Sequence, residues 1–197
     1  MVTVQQWAEW ITHAAQGDED ACAALYREFS PAVLRLALGM LGDLADAEEV
    51  VQDSFVYALR NLRNFDAQKS AFTTWLYTIT LSRCRNKRRR RWLVTFPLEL
   101  LDSEKPHDNQ GTIESILEQR RVSRVIWEAL QELPTRLREA VVLRYIAELR
   151  YHEIGQALGC NPKTAESRVR LGIEAMRRTL RRWGMAEEME WAEAPTW

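Results

Sequence analysis

The chain has 197 residues, of which 46% are hydrophobic and 28% charged, and its net charge at pH 7 is −1. This composition is typical of a globular protein, and the length allows one domain or two small ones. The nearly neutral charge excludes any argument for nucleic-acid binding from overall charge, so such a function must rest on where the charges lie. No run approaches the about 18 apolar residues that a membrane span needs.

The cysteines and histidines predict neither a disulfide framework nor a metal site. Cys22, Cys84 and Cys160 are odd in number and far apart, and no histidine stands at metal-ligand spacing from any of them. The first ten residues lack a basic stretch followed by an apolar core, which a signal peptide would need. We therefore expect a cytoplasmic protein without metal or other cofactor.

The order of elements predicts an all-α fold, because apolar residues recur at helical spacing and strand-like alternation is absent. The first predicted helices span 4–16, 18–41, 44–63 and 71–92. After an interruption, further helices are predicted over 114–132, 135–148, 151–158 and 162–183. This organisation predicts two small helical domains, over 1–92 and 120–183.

The predicted helix over 44–63 has one apolar and one acidic side. At 100° per residue, an apolar stripe forms from Val51, Phe55, Ala58 and Leu62. Asp46, Glu49 and Asp53 cluster on the opposite side, and this face is predicted to have no basic partner to offset it. Such a ridge can be merely solvated, or it can meet a basic protein surface.

The predicted helix over 71–92 ends in a basic run, residues 83–91, in which seven of nine residues are cationic. The helix dipole favours cations at this end, but each such charge contributes under about 1 kcal/mol, which does not account for seven. Phosphate binding does. Phe72, Trp75 and Tyr77 precede the run, so the helix can bind single-stranded DNA by stacking and charge. For Trp75, burial in the core is an equally good interpretation.

The segments after each predicted domain are acidic. Residues 93–119 contain Pro97, Pro106 and Gly111 and carry six acidic residues against one lysine, which predicts an acidic linker. Residues 184–197 form an acidic tail with two tryptophans. This tail can be a loose chain end, or it can fold back on the basic residues and mask them.

Residues 151–170 predict a helix-turn-helix. Gly159 suits a left-handed position after a short helix, Asn161 can cap the next helix, and Pro162 suits that helix's first turn. Lys163 and Arg170 then lie on a polar side, opposite an apolar stripe made of Ala165, Val169, Ile173, Met176 and Leu180. An amphipathic helix with a polar outer face after a tight turn is what reading the major groove requires.

These features together resemble the sigma-70-type sigma factors of bacterial RNA polymerase, in particular the small two-domain extracytoplasmic-function (ECF) group. The resemblance is carried by the motifs GDEDACAALY at 17–26, DAEEVVQDSF at 46–55, FTTWLYTI at 72–79 and LPTRLREAVVLRY at 133–145, and by the helix-turn-helix. It covers about residues 5–182. Each motif alone is weak, but all of them in this order are highly specific.

The resemblance implies a function and a set of binding residues. The chain would direct core RNA polymerase to promoters and promote DNA melting, with no catalysis of its own. The polymerase clamp would be bound by Asp46, Glu49, Gln52 and Asp53. The −10 element would be bound by Asn64, Phe65, Asp66, Lys69, Ser70, Tyr77, Arg83, Asn86, Arg88 and Arg89. The −35 element would be bound by Lys163, Thr164, Glu166, Ser167, Arg168 and Arg170.

The resemblance also implies two further contacts. The apolar face of the second domain would bind the polymerase flap, and the acidic linker would thread towards the polymerase active centre. An anti-sigma protein is the expected regulator.

Three other functions compete with this interpretation. A helix-turn-helix regulator that acts without polymerase would explain residues 133–182, but it would leave the acidic ridge and the basic run without a role. An enzyme acting on nucleic acid needs paired carboxylates, a phosphate-binding glycine loop or an activated nucleophile, and the sequence shows none of these motifs. An inactive relative that serves as an interaction module would fail in a transcription assay.

Overall fold

A computed structural model describes residues 4–94 and 125–185, and every regular element within these two ranges is helical. The predicted all-α fold is confirmed. The first group contains α1 (Val4–Ala15), α2 (Glu19–Leu41), α3 (Leu44–Arg60), a 3₁₀ turn (Leu62–Asn64) and α4 (Phe72–Val94). The second group contains α5, described over 125–132, then α6 (Thr135–Tyr145), α7 (Tyr151–Leu158) and α8 (Pro162–Arg182). The predicted linker and acidic tail lie almost entirely outside the described residues.

Local capping sets the starts of α2 and α3. Asp18 Oδ1 accepts a hydrogen bond from the Ala21 amide at 3.0 Å, and Asp43 Oδ1 accepts one from the Asp46 amide at 2.8 Å. Each carboxylate satisfies an amide that has no partner within its own helix. Both helices therefore begin within a residue of the predicted positions.

Two predicted helices end earlier than expected. The helix predicted over 44–63 stops at Arg60, because Asn61 leaves helical geometry (φ −109°) while its side-chain amide donates to the Tyr57 carbonyl at 2.8 Å. The helix predicted over 135–148 stops at Tyr145. Glu148 takes a left-handed φ of 55°, and this turn brings the Leu149 amide back to the Leu143 carbonyl at 3.0 Å.

Each group is organised around fully buried aliphatic side chains. In the first group these include Leu25, Leu36, Leu76 and Leu81, and the apolar stripe predicted for α3 is buried with them. In the second group the apolar stripe predicted for α8 is buried against α6 and α7. The helical periodicity of both stripes is thereby confirmed.

The two groups pack directly against one another, α2 against α6 and α4 against α7. Gly39 of α2 makes this approach possible. A Cβ atom there would lie 2.9 Å from Ile146 Cδ1 and 3.1 Å from Val142 Cγ2, so a larger residue would force these side chains of the second group to shift. The apolar core consequently runs from one group into the other.

Candidate nucleic-acid and polymerase interfaces

The turn between α7 and α8 has the geometry predicted for it. Gly159 is left-handed (φ 62°), the Asn161 side chain accepts from the Thr164 amide at 2.7 Å, and Pro162 opens α8. A feature that the sequence analysis missed is Gly155, where a Cβ atom would lie 2.7 Å from the Cys160 carbonyl oxygen. A glycine inside a helix costs stability, and here the close approach of the turn explains its presence.

We predict that Gly155→Ala loosens this turn. The added methyl group meets backbone rather than a flexible side chain, so the substitution should destabilise the second group by roughly 1–3 kcal/mol. In a chain of this size each kcal/mol lowers the melting temperature by about 2–4 °C. Thermal unfolding followed by circular dichroism measures the effect. His152→Ala, at an exposed position of the same helix, is the control, and an unchanged melting temperature for Gly155→Ala would contradict the prediction.

The outer face of α8 carries the residues predicted to read DNA. Lys163, Glu166, Ser167 and Arg170 are exposed, whereas Thr164 and Arg168 are half-buried. Arg168 Nη1 lies 3.6 Å from Cys160 Sγ, so this side chain leans back over the turn. The guanidinium of Arg170 pairs with Glu174 one turn later at 2.7 Å. A base that contacts Arg170 shares the guanidinium with this carboxylate or displaces it, and an exposed pair of this kind is weak.

The acidic ridge of α3 (Asp46, Glu49 and Asp53) does have a basic partner, and the prediction that it has none is wrong. Lys87 of α4 reaches across, with its Nζ 3.2 Å from Asp46 Oδ1 and 2.5 Å from Glu49 Oε2. The hydrogen bond to Glu49 and the neighbouring carboxylates raise the pKa of Lys87. Helical periodicity could not indicate this pair, because Lys87 belongs to another helix and only tertiary packing brings it to the ridge. Asp53 and Gln52 are exposed beside this pair.

An open groove of about 400 Å³ between α2 and α3 borders the ridge. Its floor is partly apolar, with Pro31, Leu34 and Val51, while Glu48 and Gln52 add polar groups. Of these residues, Gln52 was predicted from the sequence as a binding residue and Val51 as part of the apolar stripe of α3. The proline within α2 was the sequence signal for this groove. Pro31 has no amide, so it leaves a carbonyl one turn earlier without its helical donor.

The loop over 64–70 is ordered by its own polar residues and by an aromatic cluster. Asp66 accepts from the Gln68 amide at 3.0 Å and pairs with Lys69 at 3.3 Å, and these contacts, the backbone bond above all, lower the pKa of Asp66. Phe65 packs edge-on against Phe72 at 5.4 Å and tilted against Trp75 at 5.3 Å. The core interpretation for Trp75 is therefore the better one.

The residues in and just before the basic run of α4 differ in how far they are exposed. Tyr77 ahead of it is 6% exposed, and burial raises the pKa of its hydroxyl, so its ring offers no open face to a base in this arrangement. Arg83 lies 4.6 Å over the Tyr57 ring. Asn86 and Arg88 are half-buried, and Arg89 is exposed.

The described part of the chain offers no other chemistry of this kind. Among residues 4–94 and 125–185, no group of three or more metal-binding side chains converges. No helix in these ranges is long and apolar enough to cross a membrane. An exposed polar face on a capped helix-turn-helix, together with clustered arginines on a second helix bundle, is the architecture of a DNA-binding protein.

Known proteins are similar to this chain in sequence and in fold. The family model for sigma-70 region 2 matches residues 25–94, and that for sigma-70 region 4 matches residues 123–176. The ECF RNA polymerase sigma factor SigW of Bacillus subtilis is 30% identical over 185 residues, which cover 87% of this chain and 95% of that protein. The chain therefore belongs to the sigma-70 family of RNA polymerase sigma factors, in its ECF group. Members of this family are DNA-binding transcription regulators, and the chain's function is promoter-directed transcription initiation.

Two solved structures share the fold. CnrH, solved in complex with the cytosolic domain of CnrY, is 27% identical with a TM-score of 0.64, covering 87% of this chain and 94% of its own. RpoE of Bartonella quintana, solved with the anti-sigma factor NepR, is 22% identical with a TM-score of 0.63, covering 80% of this chain and 97% of its own. At that identity the second likeness concerns the fold alone.

Proposed function

We propose that this ECF sigma factor docks on core polymerase through α3 and reads promoters through two separate DNA-binding surfaces. The observation that carries the proposal is the exposed polar face of α8. A capped turn fixes the start of this helix, and the apolar stripe on its opposite side is buried in the second group. The −35 element contacts this face, and the same six residues predicted from the sequence supply the base contacts. We assign the chain no catalysis of its own, and we place it in the cytoplasm, where core polymerase acts.

The docking site on the polymerase clamp combines charge with shape. Gln52 lines the groove between α2 and α3, and Asp53, the next residue of α3, is exposed. The acidic ridge continues from Asp53 towards Lys87. A partly apolar groove flanked by carboxylates suits a basic helix or hairpin with an apolar edge. The apolar face of the second group is the proposed contact for the polymerase flap.

The −10 element is the proposed ligand of the loop over 64–70 and of arginines of α4, half-buried Arg83 and exposed Arg89. Asn64 and Lys69 are exposed on this loop. Arg83 and Arg89 continue the positive surface along α4. Stacking on aromatic rings requires rearrangement, since Phe65 and Trp75 pack on one another and Tyr77 is buried. In this arrangement, electrostatic attraction to the DNA phosphates contributes most of the affinity for the −10 element.

An anti-sigma protein is the proposed regulator. CnrH, which resembles this chain in sequence and fold, was solved with a cytosolic protein domain bound to it. The acidic linker is proposed to thread towards the polymerase active centre.

Run-off transcription with core polymerase and a promoter library tests the proposal. We expect transcription that depends on both the added chain and a pair of promoter elements at fixed spacing. Template binding without polymerase dependence would instead favour a helix-turn-helix regulator. Absence of transcription from every promoter, with intact polymerase binding, would favour an interaction module.

We predict that Arg170→Ala changes preference at one or two −35 positions. A base-reading contact is worth about 1–3 kcal/mol of discrimination, whereas a phosphate contact weakens all promoters alike. Transcription from a library randomised at the −35 element separates the two outcomes. Arg178→Ala, at an exposed position later in α8, is the matched control. A uniform loss would reassign Arg170 to phosphate binding.

A further inference from the structure

The outer face of α8 contains one large apolar side chain among its polar ones. Leu171 is 42% exposed, and it is the only exposed large hydrophobic residue of this helix, all of which the structure describes. It stands two residues after the buried Val169, so at 100° per residue the two side chains lie on nearly opposite sides of the helix. Leu171 therefore does not belong to the apolar stripe that packs α8 into the second group.

Leu171 shares its side of α8 with two of the residues proposed to read the −35 element. Ser167 stands four positions earlier and Thr164 seven positions earlier, and both spacings return to the same side of a helix. With a rise of about 1.5 Å per residue, Leu171 lies about 10 Å beyond Thr164 along the helix axis. When α8 lies in the major groove, this side of the helix follows the base edges for about three base pairs.

The charges on the outer face of α8 offset one another. Lys163 and Arg170 are basic, and Arg170 pairs with Glu174 at 2.7 Å. Glu166 adds a second exposed carboxylate. Because the carboxylates repel the DNA phosphates, they reduce the attraction that the two cations provide. Binding by this face therefore depends strongly on contacts to base edges, which carry sequence information, and less on contacts to phosphates, which do not.

Thymine is the base that offers a methyl group in the major groove. Its C5 methyl stands beside O4, whereas the other three bases are distinguished there by hydrogen-bond donors and acceptors. The side chain of Leu171 can neither donate nor accept a hydrogen bond, so it leaves a polar base edge without a partner. Against thymine, the contact removes apolar surface of both the leucine and the C5 methyl group from water. A leucine at this place thus favours thymine over the other bases.

We propose that Leu171 is a specificity-determining residue that reads the C5 methyl group of a thymine in the −35 element. The inference rests on the proposed function of α8, and it adds a base identity and the side chain that selects this base. The thymine lies about three base pairs from the base that Thr164 meets, on the side approached by the later turns of α8. The contact contains no hydrogen bond, so its strength comes from apolar burial.

Deoxyuracil in place of thymine tests the contact, because it removes the methyl group and keeps every hydrogen-bonding group of the base. The experiment uses holoenzyme, formed from core polymerase and the full chain, on a promoter selected from the library. Each thymine of the −35 element is replaced in turn on either strand, and fluorescence anisotropy gives the affinity for each DNA. We expect the affinity to fall about fourfold at one position, which is the contribution of one buried methyl group.

Three variants assign this methyl dependence to a side chain. Leu171→Ala keeps a good helix former and removes the apolar contact, so it should bind thymine and uracil DNA equally at that position. Leu171→Met keeps a flexible apolar side chain and should retain most of the fourfold ratio. Leu44→Ala makes the same chemical change at an exposed leucine of α3 and should keep the wild-type ratio. Circular dichroism checks that each variant is folded.

The outcomes separate the role of Leu171 from the function on which it rests. A holoenzyme that is indifferent to uracil at every −35 position, or a Leu171→Ala variant with an unchanged ratio, would overturn the role of Leu171 alone. Weaker binding of Leu171→Ala to core polymerase, with the methyl dependence retained, would also overturn it and would place this leucine in a polymerase contact. Scrambling the whole −35 element tests the proposed function by itself, which fails if holoenzyme binding does not change.

Discussion

Neutralising the acidic ridge is expected to weaken binding of the full chain to core RNA polymerase by about 2 kcal/mol or more, roughly thirtyfold. The variant carries Asp46→Asn, Glu49→Gln and Asp53→Asn, which preserve side-chain size and place no lysine beside Lys87. The loss is large because charged pairs at an interface leave their partners desolvated and unpaired when one member is removed. Fluorescence-detected titration with core polymerase measures the change.

Two controls separate docking from stability. Glu9→Gln, Glu19→Gln and Asp20→Asn alter the net charge equally at exposed positions of the same domain. Lys87→Gln removes the ion pairs that Lys87 makes with Asp46 and Glu49. If the ridge docks on polymerase, Lys87→Gln leaves binding intact or tightens it. If the ridge only stabilises the fold by pairing with Lys87, the triple ridge variant and Lys87→Gln weaken polymerase binding alike, and the docking role is wrong.

Removing exposed arginines of the basic run should flatten the salt dependence of promoter binding. Each phosphate contact contributes about 0.7–0.9 to the slope of log affinity against log salt. Arg89→Gln with Arg90→Gln should therefore lower the slope by about 1.4–1.8 and weaken all promoters alike. Adding Arg88→Gln should lower the slope by less than one further phosphate contact, because Arg88 is half-buried and its Nη1 is buried. Holoenzyme binding to forked promoter DNA over a salt series is the measurement.

The matched control for this series lies within the run itself. Lys87 has the same charge as its neighbours, but that charge is taken up by Asp46 and Glu49. Lys87→Gln should leave the salt slope unchanged. A slope that does not respond to Arg89 and Arg90 either would show that the run is a solvated helix end.

Local signals in the sequence predicted the helix-turn-helix well. Gly159, Asn161 and Pro162 act through their own backbone and side-chain geometry, so their roles can be read without the rest of the fold. The apolar stripe of α8 is equally local, because helical spacing alone places it on one side. The helix ends at Arg60 and Tyr145 were predicted too late, since a single asparagine or a left-handed glutamate ends a helix against its apolar pattern.

Contacts between distant helices were beyond local signals. The partner of the acidic ridge comes from α4, and nothing in the spacing of 46 and 87 indicates that they meet. Tyr77 reads as an aromatic beside cations, yet packing buries it. Gly39 and Gly155 are unremarkable in sequence, and only the close approach of other atoms explains them.

The sequence by itself determined the all-α fold, the capped start of the helix predicted to read DNA, and the charge on each helix face. These features follow from side-chain chemistry and a period of 3.6 residues. The tertiary structure alone decided which charges are free. It pairs Lys87 with the ridge, gives Arg85 to Glu139 and seats Arg138 on the end of α2. A charge acts on its nearest neighbours in space, and folding, which brings α4 to α3 and α6 to α2, decides which neighbours those are.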